Sequence, residues 1–104
     1  MRERDIEKYL VERVKALGGE VRKVKWIGRR GAPDRLVMLP EKDGWKRMYQ
    51  DTGAPTPPLS VWVELKATGK KAEDYQLREH ERMRKMGQRV VVIDSTEGVD
   101  ELLK

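Results

Sequence analysis

Asp34 follows Pro33 directly, and Glu64 and Lys66 stand two residues apart at the end of the apolar run Val61-Trp62-Val63. Two carboxylates converging from adjacent strands make a hard-oxygen site of the kind Mg²⁺ or Mn²⁺ takes. An ammonium beside them can orient or deprotonate a water and offset charge on a phosphorane-like transition state. In an extended strand Glu64 and Lys66 leave one face, and Leu65 between them points to the other, where it can join a core. Charged groups beside an apolar sheet are costly unless paired or bound to a metal. Taken alone, Glu-x-Lys reads more simply as a surface ion pair, and Pro-Asp as a turn. The combination is more specific: Gly-x-Pro-Asp, an apolar strand, a spacer and Val63-Glu64-Leu65-Lys66 follow one another inside one α/β pattern.

Composition restricts the chemistry to groups of this type. The chain has 104 residues, 23 Lys+Arg against 18 Asp+Glu, a formal net charge of +5, no cysteine and one histidine. Lack of cysteine excludes disulfides, thiol nucleophiles, Fe–S clusters and thiolate zinc sites. A single histidine excludes a multi-histidine metal site within one chain, and a Ser-His triad would have to join His80 to Ser60 or Ser95. The length suits one domain spanning 1–104. A pI near 9.6 favours an anionic partner, with a well-solvated surface as the plainer reading. No apolar run approaches the ~20 residues of a membrane span, and Met1-Arg2-Glu3-Arg4-Asp5 leads into no apolar segment of a signal peptide. A cytosolic protein without membrane contact is expected.

The elements that must hold these groups follow from periodicity. Ile6, Leu10, Val14 and Leu17 form one stripe, which predicts a helix over 5–17 with Asp5 as N-cap and Gly18-Gly19 as stop. Val21 to Ile27 alternates as a half-basic strand. A Gly28–Pro33 turn leads into Arg35–Leu39, a short apolar strand of the kind buried on both faces. Pro40, Pro55, Pro57 and Pro58 make 40–60 a long connection, with room for a short strand at Trp45–Tyr49. A strand over 60–66, a helix over 72–86 closed by Gly87 and a strand over 89–93 form a right-handed βαβ unit with parallel strands. Asp94-Ser95-Thr96-Glu97 resembles a cap leading into a last helical turn at 99–103. The first three strands lack helical connections and should form an antiparallel meander. The fold class is α/β, a mixed sheet flanked by helices in the order α-β-β-β-α-β.

With these positions in place, Pro33-Asp34 and Glu64-Leu65-Lys66 resemble the PD-(D/E)xK nuclease signature. More narrowly, the chain is similar to the VRR-NUC domain in its small stand-alone form. The likeness rests on Ile6-Glu7, Gly18-Gly19-Glu20-Val21-Arg22-Lys23, Gly28 to Arg35, Val63 to Lys66, Gln76 and Gly87 to Ser95, nearly all of the chain outside 40–60. The resemblance implies a restriction-endonuclease-like fold and an Mg²⁺- or Mn²⁺-dependent nuclease for structured DNA. It implies Asp34, Glu64 and the Leu65 backbone carbonyl as metal ligands and Lys66 as the group that positions or activates water. Glu7 would complete the acidic cluster, directly or through a bound water, and Gln76 would support the site. Stand-alone members are homodimers associated with Holliday-junction cleavage. The chain departs from the pattern in carrying Glu73-Asp74-Tyr75 where the family often has Ser or Thr before the helix Gln, and in its longer 40–60 segment.

Arg22, Lys23, Lys25, Arg29, Arg30 and Arg35 crowd around Asp34, which favours phosphate contact. Lys70 and Lys71 after the third strand could act alike. Arg78, Arg82, Arg84, Lys85 and Arg89 are diluted by Glu79 and Glu81 and read as a solvated face. His80 reads as a helix-face residue with no evident partner. Tyr9, Trp26, Tyr49, Trp62 and Tyr75 read as core or interface groups. Residues 55–58 and the helix bearing Met83 and Met86 are candidate dimer surfaces. Two further readings stay open: a non-catalytic DNA-binding module using the same basic face, and an interaction domain whose carboxylates form buried ion pairs.

Overall fold

The computed structural model describes residues 1–40 and 60–104. Along the chain run α1 (Glu3–Ala16), β1 (Glu20–Lys23), β2 (Arg35–Met38), β3 (Ser60–Leu65), α2 (Asp74–Lys85), β4 (Val90–Ile93) and α3 (Thr96–Leu102). The strand expected at Trp45–Tyr49 and the prolines at 55–58 lie outside the described residues. The sheet order is β1-β2-β3-β4. β1 with β2 and β2 with β3 are antiparallel, and β3 with β4 is parallel. The meander, the parallel βαβ unit and the mixed sheet with flanking helices are as expected.

α1 forms because Ile6, Leu10 and Val14 recur every fourth residue and bury completely. It starts at Glu3, with Arg2 at the N-cap, so Asp5 lies in the first turn and complements the helix dipole instead of capping. Leu17, expected in the apolar stripe, is the C-cap and is half-exposed. Gly18 takes φ +86° and its N–H donates to the Lys15 carbonyl, while the Gly19 N–H donates to that of Val14, closing the helix end. α2 ends in the same way at Gly87 and Gln88, which donate to Arg84 and Met83. α3 starts at Thr96, ahead of the expected turn, because Ser95 Oγ accepts from the Gly98 N–H at 3.0 Å.

β1 stops at Lys23 instead of running to Ile27. The Val24 N–H still donates to the Asp34 carbonyl, but beyond it the Trp26 indole N–H donates to the Pro33 carbonyl at 2.8 Å and folds the loop back on itself. β2 is buried on one face only: Arg35 and Val37 are buried, Leu36 and Met38 half-buried. Val37, Val61, Val63, Leu65 and Ile93 pack with Ile6, Leu10, Val14 and Val99 into one core on the α1 side. Each completely buried aliphatic side chain there contributes roughly 1.5–3 kcal/mol of transfer free energy. The opposite face of β3 carries Trp62 and Glu64, and α2 covers it through His80.

Gly31 fixes how the loop before Asp34 meets α2. It takes φ +88°, and a Cβ there would lie 2.9 Å from the Tyr75 carbonyl oxygen and 3.3 Å from the Gln76 Cα. Gly31→Ala is therefore expected to cost about 1–3 kcal/mol through the left-handed backbone alone. Thermal unfolding measures this, and an unchanged midpoint would show that the loop does not depend on that backbone or on its approach to α2.

Candidate active site

The pairing of β2 with β3 builds the site. Arg35 lies opposite Val63 and Leu36 opposite Trp62, so one further step sets Asp34 across from Glu64. The Lys66 N–H continues the parallel ladder to the Ile93 carbonyl at 2.9 Å, which keeps its side chain on the Glu64 face. Glu64 is 8% exposed. Burial is the largest influence on its carboxyl and pushes it up to about 7; Lys66 opposes this, Asp34 and Glu3 add to it, and Arg35 opposes it. Among the described residues, Glu64 Oε1 is buried without a hydrogen-bond partner.

Arg35 stands between the other two expected ligands. Its guanidinium, 8% exposed, is paired with Glu7 Oε2 and, at 2.9 Å, with Asp34 Oδ1. Burial lowers its pKa, but the bonds to Glu7 and Asp34 outweigh that and leave it raised, so Arg35 stays a cation. Arg35 is thus an internal counter-ion, not the exposed phosphate contact expected from its neighbours in sequence. Glu7 is committed to Arg35, and the α1 carboxylate whose charge reaches Glu64 is Glu3, which sequence reading had not placed at the site. Among the described residues no three His, Asp or Glu side chains stand close enough together to hold a metal ion as placed. Arg35 holds two of the three expected carboxylates. Gln76 Oε1 accepts from the Glu73 N–H at 2.8 Å and so closes the first turn of α2.

α2 turns an unexpected face inward. His80 is completely buried, not on an open helix face, and its Nε2 lies 3.4 Å from Glu64 Oε1. Burial, then the Arg84 charge, lowers the His80 pKa; Glu79 opposes them and Lys66 adds to the lowering. Glu79, expected in solvent, is buried and bound to Arg29 at 2.8 Å and Arg82 at 2.9 Å. Met83 is in the interior, which leaves Met86 as the exposed methionine of this pair. The available signal was spacing: Gln76, Glu79, His80 and Met83 fall three or four residues apart, the stripe of a buried helix face written mostly in polar residues.

The basic residues divide. Lys23, Lys25 and Arg29 line an open groove of about 590 Å³ with Val24, Trp26, Ala32 and Asp34. The Trp26 ring meets Trp62 at 5.2 Å. Arg30 stacks over the Tyr75 ring at 4.2 Å. Arg22 pairs with Glu20 at 3.0 Å on the surface. Lys70 and Lys71 are exposed on the loop after β3.

The raised Glu64 pKa has a measurable sign. Its stabilising contribution is fully present below the ordinary 4.5 and is lost as the pH rises through about 7. His80 acts oppositely: its contribution is present above the ordinary 6.5 and is lost as the pH falls through the lowered value. The variant Glu64→Gln is expected to gain stability relative to the wild type as metal-free samples go from pH 4.5 to 8, read as denaturant midpoints. A difference that stays constant over that range would contradict a burial-raised carboxyl.

No family model matches the chain. It is 42% identical over 95 residues to "Putative nuclease p44" of Acyrthosiphon pisum secondary endosymbiont phage 1, a match covering 91% of this chain and 85% of that protein. A solved structure described as "VRR_NUC domain" has the same fold, with a TM-score of 0.72 and 42% identity over 97% of this chain and 92% of that one. At that identity and coverage the mixed sheet, with Pro33-Asp34 and Glu64-Leu65-Lys66 at its centre, makes the chain a member of the VRR-NUC domain family.

Proposed function

We propose that the protein is an Mg²⁺- or Mn²⁺-dependent DNA endonuclease acting on branched DNA such as Holliday junctions. The observation that carries this reading is the placement of Glu64, a buried carboxyl across from Asp34 and two residues before Lys66. A buried acid is costly, and a hard cation is a partner that suits oxygen donors converging in this way. Asp34, Glu64 and the Leu65 carbonyl would hold the cation. Glu3 and Glu7 supply further negative charge from α1, Glu7 while also neutralising Arg35. When bound, the cation supplies Lewis-acid activation of the scissile phosphate and of water. Lys66 orients the attacking water and offsets charge on the phosphorus centre. Lys23, Lys25 and Arg29, which line one groove with Asp34, hold the flanking backbone, so binding weakens steeply with salt.

Cutting both arms of a junction requires two sites, and a homodimer supplies them in symmetric placement. The nuclease named among the relatives agrees with the reaction class.

A cleavage panel of junctions, flaps, single strands and duplexes with Mg²⁺ or Mn²⁺ tests the proposal. Asp34→Ala and Glu64→Ala should abolish cleavage while DNA binding persists, and Lys66→Ala should slow it about 10²–10⁴-fold. Junctions should be cut in preference to plain duplex. Cleavage unchanged in the carboxylate variants would remove the assignment, and salt-sensitive binding with no cutting of any substrate would mark a binding module.

A further inference from the structure

We infer that His80 is a positioning residue for Glu64, its Nε2–H donating to Glu64 Oε1 and fixing the rotation of the carboxylate. The inference rests on Glu64 being the cation ligand proposed above.

Three buried side-chain atoms among the described residues lack a hydrogen-bond partner: Glu64 Oε1 and the two ring nitrogens of His80. They belong to two residues that face each other, with Nε2 and Oε1 3.4 Å apart. A completely buried imidazole that bonds nothing costs free energy an aliphatic residue would not. The separation is a few tenths of an ångström beyond an ordinary N–H···O bond. The last torsion of Glu64 is a soft one, so the carboxylate can turn toward the ring at little cost. The other acid on this face of α2 is not available to the ring as a free group, since Glu79 is bound to Arg29 and Arg82. The residue has a purpose that follows from the site. A carboxylate presenting one oxygen to a cation must be held by its other contacts, and a donor fixed on a rigid helix holds it with no added charge. α2 is locked where His80 needs it by the Gly31 approach at Tyr75 and by the closed first turn at Gln76.

The chain contains one histidine, so its ring signals are unambiguous. Long-range ¹H–¹⁵N spectra of the intact wild-type protein should show the Nε2–H tautomer. A bare Nε2 with the proton on Nδ1 would overturn the inference without any variant. Calorimetric titration with Mn²⁺ in the absence of DNA gives the second reading. His80→Leu should weaken Mn²⁺ binding about 10–100-fold, and His80→Gln, which keeps an amide donor, should recover most of that loss. Equal Mn²⁺ affinity in His80→Leu and the wild type would overturn positioning while leaving the nuclease assignment intact. A wild-type protein that neither binds Mn²⁺ nor cuts DNA would overturn both.

Discussion

The register between β2 and β3 is the constraint on which the site depends. Val61, Val63 and Leu65 must face α1 to complete the core, and Val37 must lie opposite Val61. Once that alternation is satisfied, Glu64 has no choice of side, and Asp34 arrives across from it at the end of β2. A slip of one residue would drive Glu64 and Lys66 into the aliphatic core and turn Val63 out to the His80 side. The hydrophobic layer therefore enforces the geometry of the charged one. The same alternation sends Arg35 to the core side, opposite Val63, where a lone guanidinium would be strongly unfavourable.

Arg35 is tolerated because α1 and the strand mouth bring carboxylates to it. Glu7 reaches it from the helix and Asp34 from the preceding residue. Removing one partner from such a buried arrangement leaves an uncompensated charge, which is far worse than never having had the pair. Asp34 thus serves two neighbours: it neutralises Arg35, and its charge helps hold the Glu64 carboxyl up. Arg35 and Glu64, on opposite faces of the sheet, are thereby linked through one aspartate.

Much of this was legible in the sequence, and the omissions share a cause. The stripe Ile6-Leu10-Val14 and the apolar runs of β2, β3 and β4 are local patterns with one physical meaning each, whereas Pro33-Asp34 and Glu64-x-Lys66 carry a meaning beyond turn and ion pair only in combination. Arg35 was read by the company it keeps along the chain, among Arg29, Arg30 and Asp34. Its burial depends on which face of β2 meets α1, and composition carries no record of that. α2 escaped for a related reason. Its inward stripe is Gln76, Glu79, His80 and Met83, three polar residues of four, so polarity alone does not mark it as the inward face, and Arg29 and Glu64, which meet Glu79 and His80 there, are distant in sequence. The overlong reading of β1 to Ile27 was a true alternation overruled by one bond, from the Trp26 indole to the Pro33 carbonyl.

β4 closes one side of the described sheet. The Trp62 N–H takes the Arg89 carbonyl and the Lys66 N–H takes that of Ile93, so alternate carbonyls of this strand point to β3 and those of Val90 and Val92 point away. A run of three valines and an isoleucine with outward-facing carbonyls is a template on which a foreign strand could grow. Arg84 reaches over from α2 and donates to the Val90 carbonyl through Nη2 at 2.8 Å and Nε at 3.3 Å. An incoming strand would have to break this charge-assisted bond and strip water from the guanidinium before pairing. The helix that covers the charged face of the sheet thereby also guards its margin against runaway self-association.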